Sequence, residues 1–360
     1  MSAVVRHVAE SISTASRAHG EAARAAVAGV GAPMLERLAR ALGGAQHAPR
    51  PRAQRRMIVI VAGDHGTGDP GIEMGADHPT VIAAHAITNG AAALSQLARA
   101  AHTPVMVIDA GAREPTHMPP STVALGRGPT RDLSREPAMT IVDATLGLEA
   151  GIALAMSLAE PGPNANTPLA LLAIGALGVG AEVASAALVG AITGRVPPNL
   201  NDPQAELAAH RGVEHRRFAR EPITQPLPIL ATGTGDLPLP ERSLVTAGLE
   251  ASALELLATF GGSETAVLAG LMLGLASINV PVILDSYATG SAALIAAMIA
   301  PAVTGYLIAA HRGSFTMPAI LEHLGLQPIF EVGLGHGEGS GAAMVLPLVD
   351  QVSELATPRV

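Results

Sequence analysis

The run Met57-Ile58-Val59-Ile60-Val61-Ala62, broken at once by Gly63-Asp64-His65-Gly66, decides the fold. Six consecutive apolar residues without polar alternation read as a strand buried on both faces. Similar runs recur at Val105–Ile108, Leu169–Ile174, Ile229–Ala231, Val282–Leu284, Tyr306–Ala309 and Ile329–Val332, each followed by helical, Ala-rich sequence. That alternation predicts an α/β protein whose mostly parallel sheet is flanked by helices on both sides. Just past the runs stand Gly63-Asp64-His65, Asp109, Gly175, Thr232-Gly233, Asp285, His311 and Gly333. In open parallel sheets the ligand crevice lies at the carboxyl ends of the strands, so these residues are the first site candidates.

Outward from the strands, residues 1–50 read as helical, with Pro33-Met34-Leu35 opening a helix that runs to Gly43-Gly44. Residues 46–56, with Pro49, Pro51 and four arginines, read as a linker, and 195–245 is a second irregular stretch rich in Pro and charge. The organisation expected is a smaller helical lobe including the N-terminus (1–50), a large α/β domain (51–335) and a C-terminal active-site loop with its helix (336–360). No internal repeat is visible.

Composition removes several chemistries. The 360 residues carry 22 basic and 30 acidic side chains, a formal charge of −8, which argues against a phosphate-backbone binder. Aromatics are 2%, too few for base-stacking platforms. There is no cysteine and no lysine, so thiolate metal sites, cysteine nucleophiles, Schiff bases and the Walker lysine are excluded. Mean hydropathy is +0.37, and residues 265–284 and 286–310 lack Asp, Glu and Arg over a bilayer-spanning length. Both are Ala/Gly-rich, interrupted by Pro281 and Pro301, and unflanked by aromatic belts, so each is expected to split into a helix and a short strand. With no signal-peptide pattern at the N-terminus, a cytoplasmic protein without a membrane partner is expected.

Two glycine-rich turns carry the chemistry. Gly175-Ala176-Leu177-Gly178-Val179-Gly180 follows a strand and opens a helix, a place where backbone N–H groups can meet an anion, although close helix–sheet packing produces the same pattern. Gly335-His336-Gly337-Glu338-Gly339-Ser340-Gly341 sets one carboxylate among four glycines before an apolar helix, Ala342–Leu348. Glu338 there is either a general base against a heteroaromatic ligand or a residue complementing the helix dipole. Thr289 and Ser291, after Asp285-Ser286-Tyr287, either bind phosphate or cap the next helix. Asp64, His65, Asp69, Asp77, His78 and His85 match no standard metal spacing, and no metal or cofactor is expected.

In order, these motifs resemble those of the nicotinate-nucleotide:dimethylbenzimidazole phosphoribosyltransferases. The family's A-A-D-H-G is similar to Ala62-Gly63-Asp64-His65-Gly66, its V-D-V-G-V to Ile108-Asp109-Ala110-Gly111-Ala112, its G-G-x-E to Gly261-Gly262-Ser263-Glu264, and its terminal G-E-G-T-G-A to Gly337-Glu338-Gly339-Ser340-Gly341-Ala342. Glu136-Pro137-Ala138-Met139-Thr140, Asp285-Ser286-Tyr287 and Leu324-Gly325-Leu326-Gln327-Pro328 fall in the same register. The resemblance implies a Rossmann-like fold, a homodimer, and transfer of phosphoribosyl from nicotinate mononucleotide to a benzimidazole-type azole in cobalamin nucleotide-loop assembly. It implies Glu338 as the base, with Asp64, His65, Gly178, Gly180, Asp285, Thr289, Ser291, Gly337 and Gly339 around the substrates.

The family's G-E-M-G-I-G-N-T-T is altered here: its carboxylate is Ala176, and its N-T-T is Ala181-Glu182-Val183. The family lysine downstream is absent, with His210 or Arg211 nearby as substitutes. Glu182 is expected to turn from the anion toward solvent or an arginine. These losses leave a second reading open, a non-catalytic binding or regulatory subunit paired with a homologous chain.

Overall fold

The Met57 run forms β1 (Arg56–Gly63), the middle of a six-stranded, wholly parallel sheet in the computed structural model. The structure describes all residues except 68–70, 127, 162–166, 199, 201, 219–251, 314, 332–333, 335–337 and 358–360. The other strands are β2 (Val105–Gly111), β3 (Val123–Ala124), β4 (Leu171–Leu177), β5 (Val282–Leu284) and β6 (Leu307–Ala309), in the order β3-β2-β1-β4-β5-β6. Val59 pairs with Met106 on one side and Ile174 on the other, which places the reversal of strand order between β1 and β4.

Side-chain alternation along β1 divides the interior in two. Ile58, Ile60 and Ala62 face a layer containing α3 (Pro33–Ala45), α4 (Pro79–Thr88), α5 (Ala93–Ala100) and α13 (Ser340–Leu355). Val59 and Val61 face α6 (Ile141–Ala159), α7 (Ala181–Thr193), α10 (Ser263–Ser277) and α11 (Tyr287–Ile299). Burial on both faces is what an unalternating apolar strand requires. The N-terminal helices α1 (Ala3–Ser11) and α2 (Arg17–Val27) precede α3, which pairs with α2 and sends Leu38 and Leu42 into the sheet's core. The remaining helices are α8 (Pro203–Phe218), which lies along α7, α9 (252–260) and α12 (Met317–Leu324).

The two apolar stretches divide as expected, into α10 followed by β5 and α11 followed, after a 3-10 turn, by β6. Among the described residues one helix, α6, is long and apolar enough to cross a membrane, with 28% of its most apolar window buried. Its small residues set it close against α10: a Cβ on Gly151 would fall 2.0 Å from Val267 O.

Two expectations about strands need correction, and one strand was not foreseen. β4 runs on to Leu177, so Gly175 and Ala176 belong to the strand and not to the turn. β3 carried no signal because it is two exposed edge residues. The Ile329–Val332 run gives a single bridge, His311 to Phe330, among its described residues. Ile229–Ala231 lies outside the described residues.

Candidate active site

A cleft of about 210 Å³ opens at the carboxyl ends of the central strands, where the strand order reverses. Its walls are the start of α4 (Pro79, Thr80), the end of β4 with the turn into α7 (Ala176 to Val179), the start of α11 (Ser286, Tyr287) and Glu338. A larger hollow, about 400 Å³, lies beside β3 and α6 and contains none of the expected site residues. The smaller cleft is the one that Glu338 and the Gly178 turn share.

Carboxylates close the ends of β1, β2 and β5, and all three hold the backbone. Asp64 Oδ1 accepts from the Thr80 hydroxyl (2.5 Å) and the Val179 N–H (2.9 Å), while Oδ2 accepts from the Arg113 N–H (2.8 Å). Asp109 Oδ1 accepts the N–H groups of Gly111 (3.0 Å) and Ala112 (2.7 Å). Asp285 accepts from Gly339 N–H (3.1 Å) and Ala342 N–H (2.9 Å), one on each oxygen. All three side chains are buried, and donors replace their lost hydration. Burial still lifts Asp109 above the ordinary carboxylate range, against the Ala112 and Gly111 N–H groups. It lifts Asp285 to about 6, with nearby Glu338 adding like charge and the α13 N–H groups opposing.

Both turns depend on glycine geometry. Gly178 (φ +155°) and Gly180 (φ +83°) reverse the chain between β4 and α7, and a Cβ on Gly178 would sit 1.9 Å from Gly63 O. Gly339 (φ +90°) opens α13, and a Cβ on Gly175 would fall 2.6 Å from its nitrogen. Gly175 thus lets the C-terminal turn rest on β4, which seats half-buried Glu338 in the cleft facing the β4–α7 turn. Gly337 lies outside the described residues.

His65 does not face the cleft. Its ring is fully buried, with Nε2 3.1 Å from Glu264 Oε1, and its backbone N–H donates to Val179 O (2.9 Å). Burial alone would lower the histidine, yet the carboxylate of Glu264 holds it above its ordinary value. Burial would raise Glu264, yet the facing imidazolium and the Thr265 hydroxyl hold it below the usual range. Thr289 and Ser291 are also turned inward. The Thr289 hydroxyl accepts from Asp285 N–H (3.1 Å) and Ser286 N–H (3.0 Å), and Ser291 Oγ donates to Ala288 O (3.0 Å). Both are buried, the arrangement of residues that organise the start of α11. Ser286 Oγ, on the cleft wall, is buried with no hydrogen-bond partner among the described residues.

Glu182 stands outside the cleft walls, and among the described residues no arginine pairs with it. One carboxylate oxygen is buried, and burial together with Asp202 raises its pKa. His210 and Arg211 are exposed on α8, and Arg211 donates to Ser134 O, so neither reaches the cleft. Among the described residues no three His, Asp or Glu side chains converge as a metal site. The structure adds to the frame two side chains that sequence reasoning left without a role, Glu264 and Thr80. Only the G-G-x-E motif pointed to Glu264.

The strand order, with a cleft at its reversal, defines a doubly wound α/β protein. A family model described as phosphoribosyltransferase matches residues 6–223 and 241–358. The nicotinate-nucleotide–dimethylbenzimidazole phosphoribosyltransferase of Roseiflexus sp. (strain RS-1) is 36% identical over 323 residues, 87% of this chain and 82% of the relative. The enzyme of the same name from Pseudomonas putida (strain W619) is 34% identical over 322 residues, 88% of this chain and 83% of the relative. The crystal structure of the Thermus thermophilus enzyme superposes with a TM-score of 0.68 at 26% identity, covering 99% of this chain and 96% of that one. The chain belongs to the nicotinate-nucleotide:dimethylbenzimidazole phosphoribosyltransferase family.

Proposed function

We propose that this chain transfers phosphoribosyl from nicotinate mononucleotide to a benzimidazole-type azole, giving an α-ribotide and nicotinate, and that it does so in the cytoplasm as a homodimer. The observation that carries the reading is the placement of Glu338 across the cleft from the Gly178–Gly180 turn. Nicotinate leaves from a pyridinium that already bears the positive charge, so its departure needs no acid. The azole is a weak nucleophile until it loses its N–H proton. Glu338 takes that proton while the other ring nitrogen attacks C1′, the C1′–pyridinium bond breaks, and attack opposite the leaving group inverts C1′.

The donor's phosphate lies at the backbone of Gly178–Gly180 and the start of α7, where helix N–H groups favour an anion. Ser286 Oγ supplies a hydroxyl donor on the opposite wall. Asp64, Asp285 and Thr289 support this arrangement from below through the backbone bonds described above, Gly339 gives the base its turn, and Ser291 packs the start of α11. The non-catalytic reading rested on loop changes that would spoil the cleft. Glu182 lies outside the cleft walls and Glu338 is in place, and both favour turnover.

The test is incubation with nicotinate mononucleotide and 5,6-dimethylbenzimidazole, following nicotinate and ribotide by chromatography. Equimolar appearance of both products is expected. No product with a panel of azoles, together with no nucleotide binding, would overturn the proposal.

A further inference from the structure

The interior holds an ion pair for which the chemistry of Glu338 has no use. His65 and Glu264 are buried to 0% and 2% exposure, 199 residues apart in sequence, and meet at 3.1 Å. Room for them is made by two glycines: a Cβ on Gly262 would lie 2.1 Å from Glu264 Oε2, and one on Gly63 would lie 2.7 Å from the same oxygen. The pair is incompletely satisfied, since His65 Nδ1 and Glu264 Oε2 are buried without hydrogen-bond partners among the described residues. Removing two charges from water costs about what their attraction returns, so stability alone gives weak reason for such a pair.

Its position supplies the reason. The backbone of His65 donates to Val179 O, while Asp64 next to it accepts from Val179 N–H, so the peptide groups on both sides of Val179 are held by two consecutive residues of one strand end. The His65 side chain backs Gly180, the residue that opens α7: a Cβ on Gly180 would lie 2.9 Å from His65 Cβ. Arg113 Nη2 donates to His65 O (3.1 Å), closing the frame from the β2 side. Glu264 therefore fixes the ring, the ring fixes the strand end, and the strand end fixes the turn. The cleft walls carry no Arg or His among the described residues, so the shape of the turn decides how its backbone N–H groups meet an anion.

We propose that His65, locked by Glu264, is a positioning residue for the nucleotide donor, holding the Gly178–Gly180 turn in the shape that accepts the donor's phosphate. This rests on the reading of the cleft under Proposed function. His65→Gln and Glu264→Gln are compared with wild type for kcat, donor KM, azole KM and the dissociation constant of inorganic phosphate measured by calorimetry. For His65→Gln, donor KM and phosphate Kd are expected to rise about tenfold, with kcat and azole KM changed by less than about threefold. Glu264→Gln keeps a hydrogen-bond acceptor but loses the charge, so a smaller rise of about two- to fivefold in the same two constants is expected.

Leu275→Ala, buried in α10 eleven residues or about 16 Å along the helix from Glu264, serves as a control for lost stability and should leave donor KM unchanged. If His65→Gln fails to fold, Glu264→Gln carries the test. Donor KM and phosphate Kd within twofold of wild type in the folded variants would overturn the proposal, as would a uniform loss shared by the Leu275→Ala control. A wild-type protein that shows no turnover overturns the cleft reading instead, and the phosphate measurement still decides the role of His65.

Discussion

The two glycine turns that face each other across the cleft are built alike and held differently. Each places a left-handed glycine, Gly180 or Gly339, at the start of a helix, and neither glycine can offer a capping side chain. At α13 the first-turn donors meet Asp285, which reaches over from β5 and takes Gly339 and Ala342 N–H. At α7 the anchoring falls one residue earlier, on Val179, and among the described residues no side chain bonds the N–H groups of Ala181, Glu182 or Val183. One helix start is thus neutralised by the protein's own carboxylate, and the other is shaped from beneath with its positive end facing the cleft. The first is suited to hold a catalytic carboxylate still, the second to receive a ligand's anion.

If that division is right, substitutions on the two turns should damage different constants. Glu338→Gln has the largest expected effect: it keeps shape and hydrogen bonding but removes the proton acceptor, so kcat should fall about 10²–10⁴-fold with little change in donor KM. Steady-state assays with both substrates check this. Gly180→Ala forces a side chain into a left-handed backbone and against Thr67 Oγ1 (2.8 Å) and His65 Cβ (2.9 Å). Donor KM should rise by about one to two orders of magnitude while azole KM stays near wild type. An equal rise in both would mean that the turns are not divided in this way.

Asp285→Asn should lower kcat by about tenfold by loosening the seat of Glu338, since an amide offers one acceptor where two N–H groups ask for acceptors. The same variant carries a pH signature. The folded-state pKa of Asp285 is raised from 3.8 to about 6, so the fold favours its protonated form and loses stability as pH rises through that window. Thermal midpoints at pH 4 and pH 7 should therefore move in favour of Asp285→Asn at the higher pH. A difference independent of pH would remove the buried-charge explanation. The smallest effect expected is at Glu182→Gln: lifting one negative charge from the first turn of α7 should lower donor KM by about two- to threefold, more at low salt than at high.

Much of this arrangement can be read from the chain. The strand runs are legible because burial on both faces removes polar alternation, and five of the seven runs head strands of the sheet. The position of the site follows from the same runs, since their polar successors collect at one edge. The direction of those successors is not legible. Asp64, His65, Thr289 and Ser291 stand where substrate residues would, yet each side chain is bonded inward, and nothing in a strand-end Asp or a helix-start Thr shows which way it turns. Gly175 reads as part of a turn, but its purpose is to let Gly339 approach the strand, a contact between segments far apart in sequence. Glu264 is missed for the same reason, because its partner is 199 residues away.

The division between the turns is tested most directly by titrating nicotinate mononucleotide into Glu338→Gln and Gly180→Ala by calorimetry, beside wild type. Glu338→Gln should bind the nucleotide within about threefold of wild type although it no longer turns over, and Gly180→Ala should bind it at least about tenfold more weakly. Weak binding by Glu338→Gln with wild-type binding by Gly180→Ala would contradict the account.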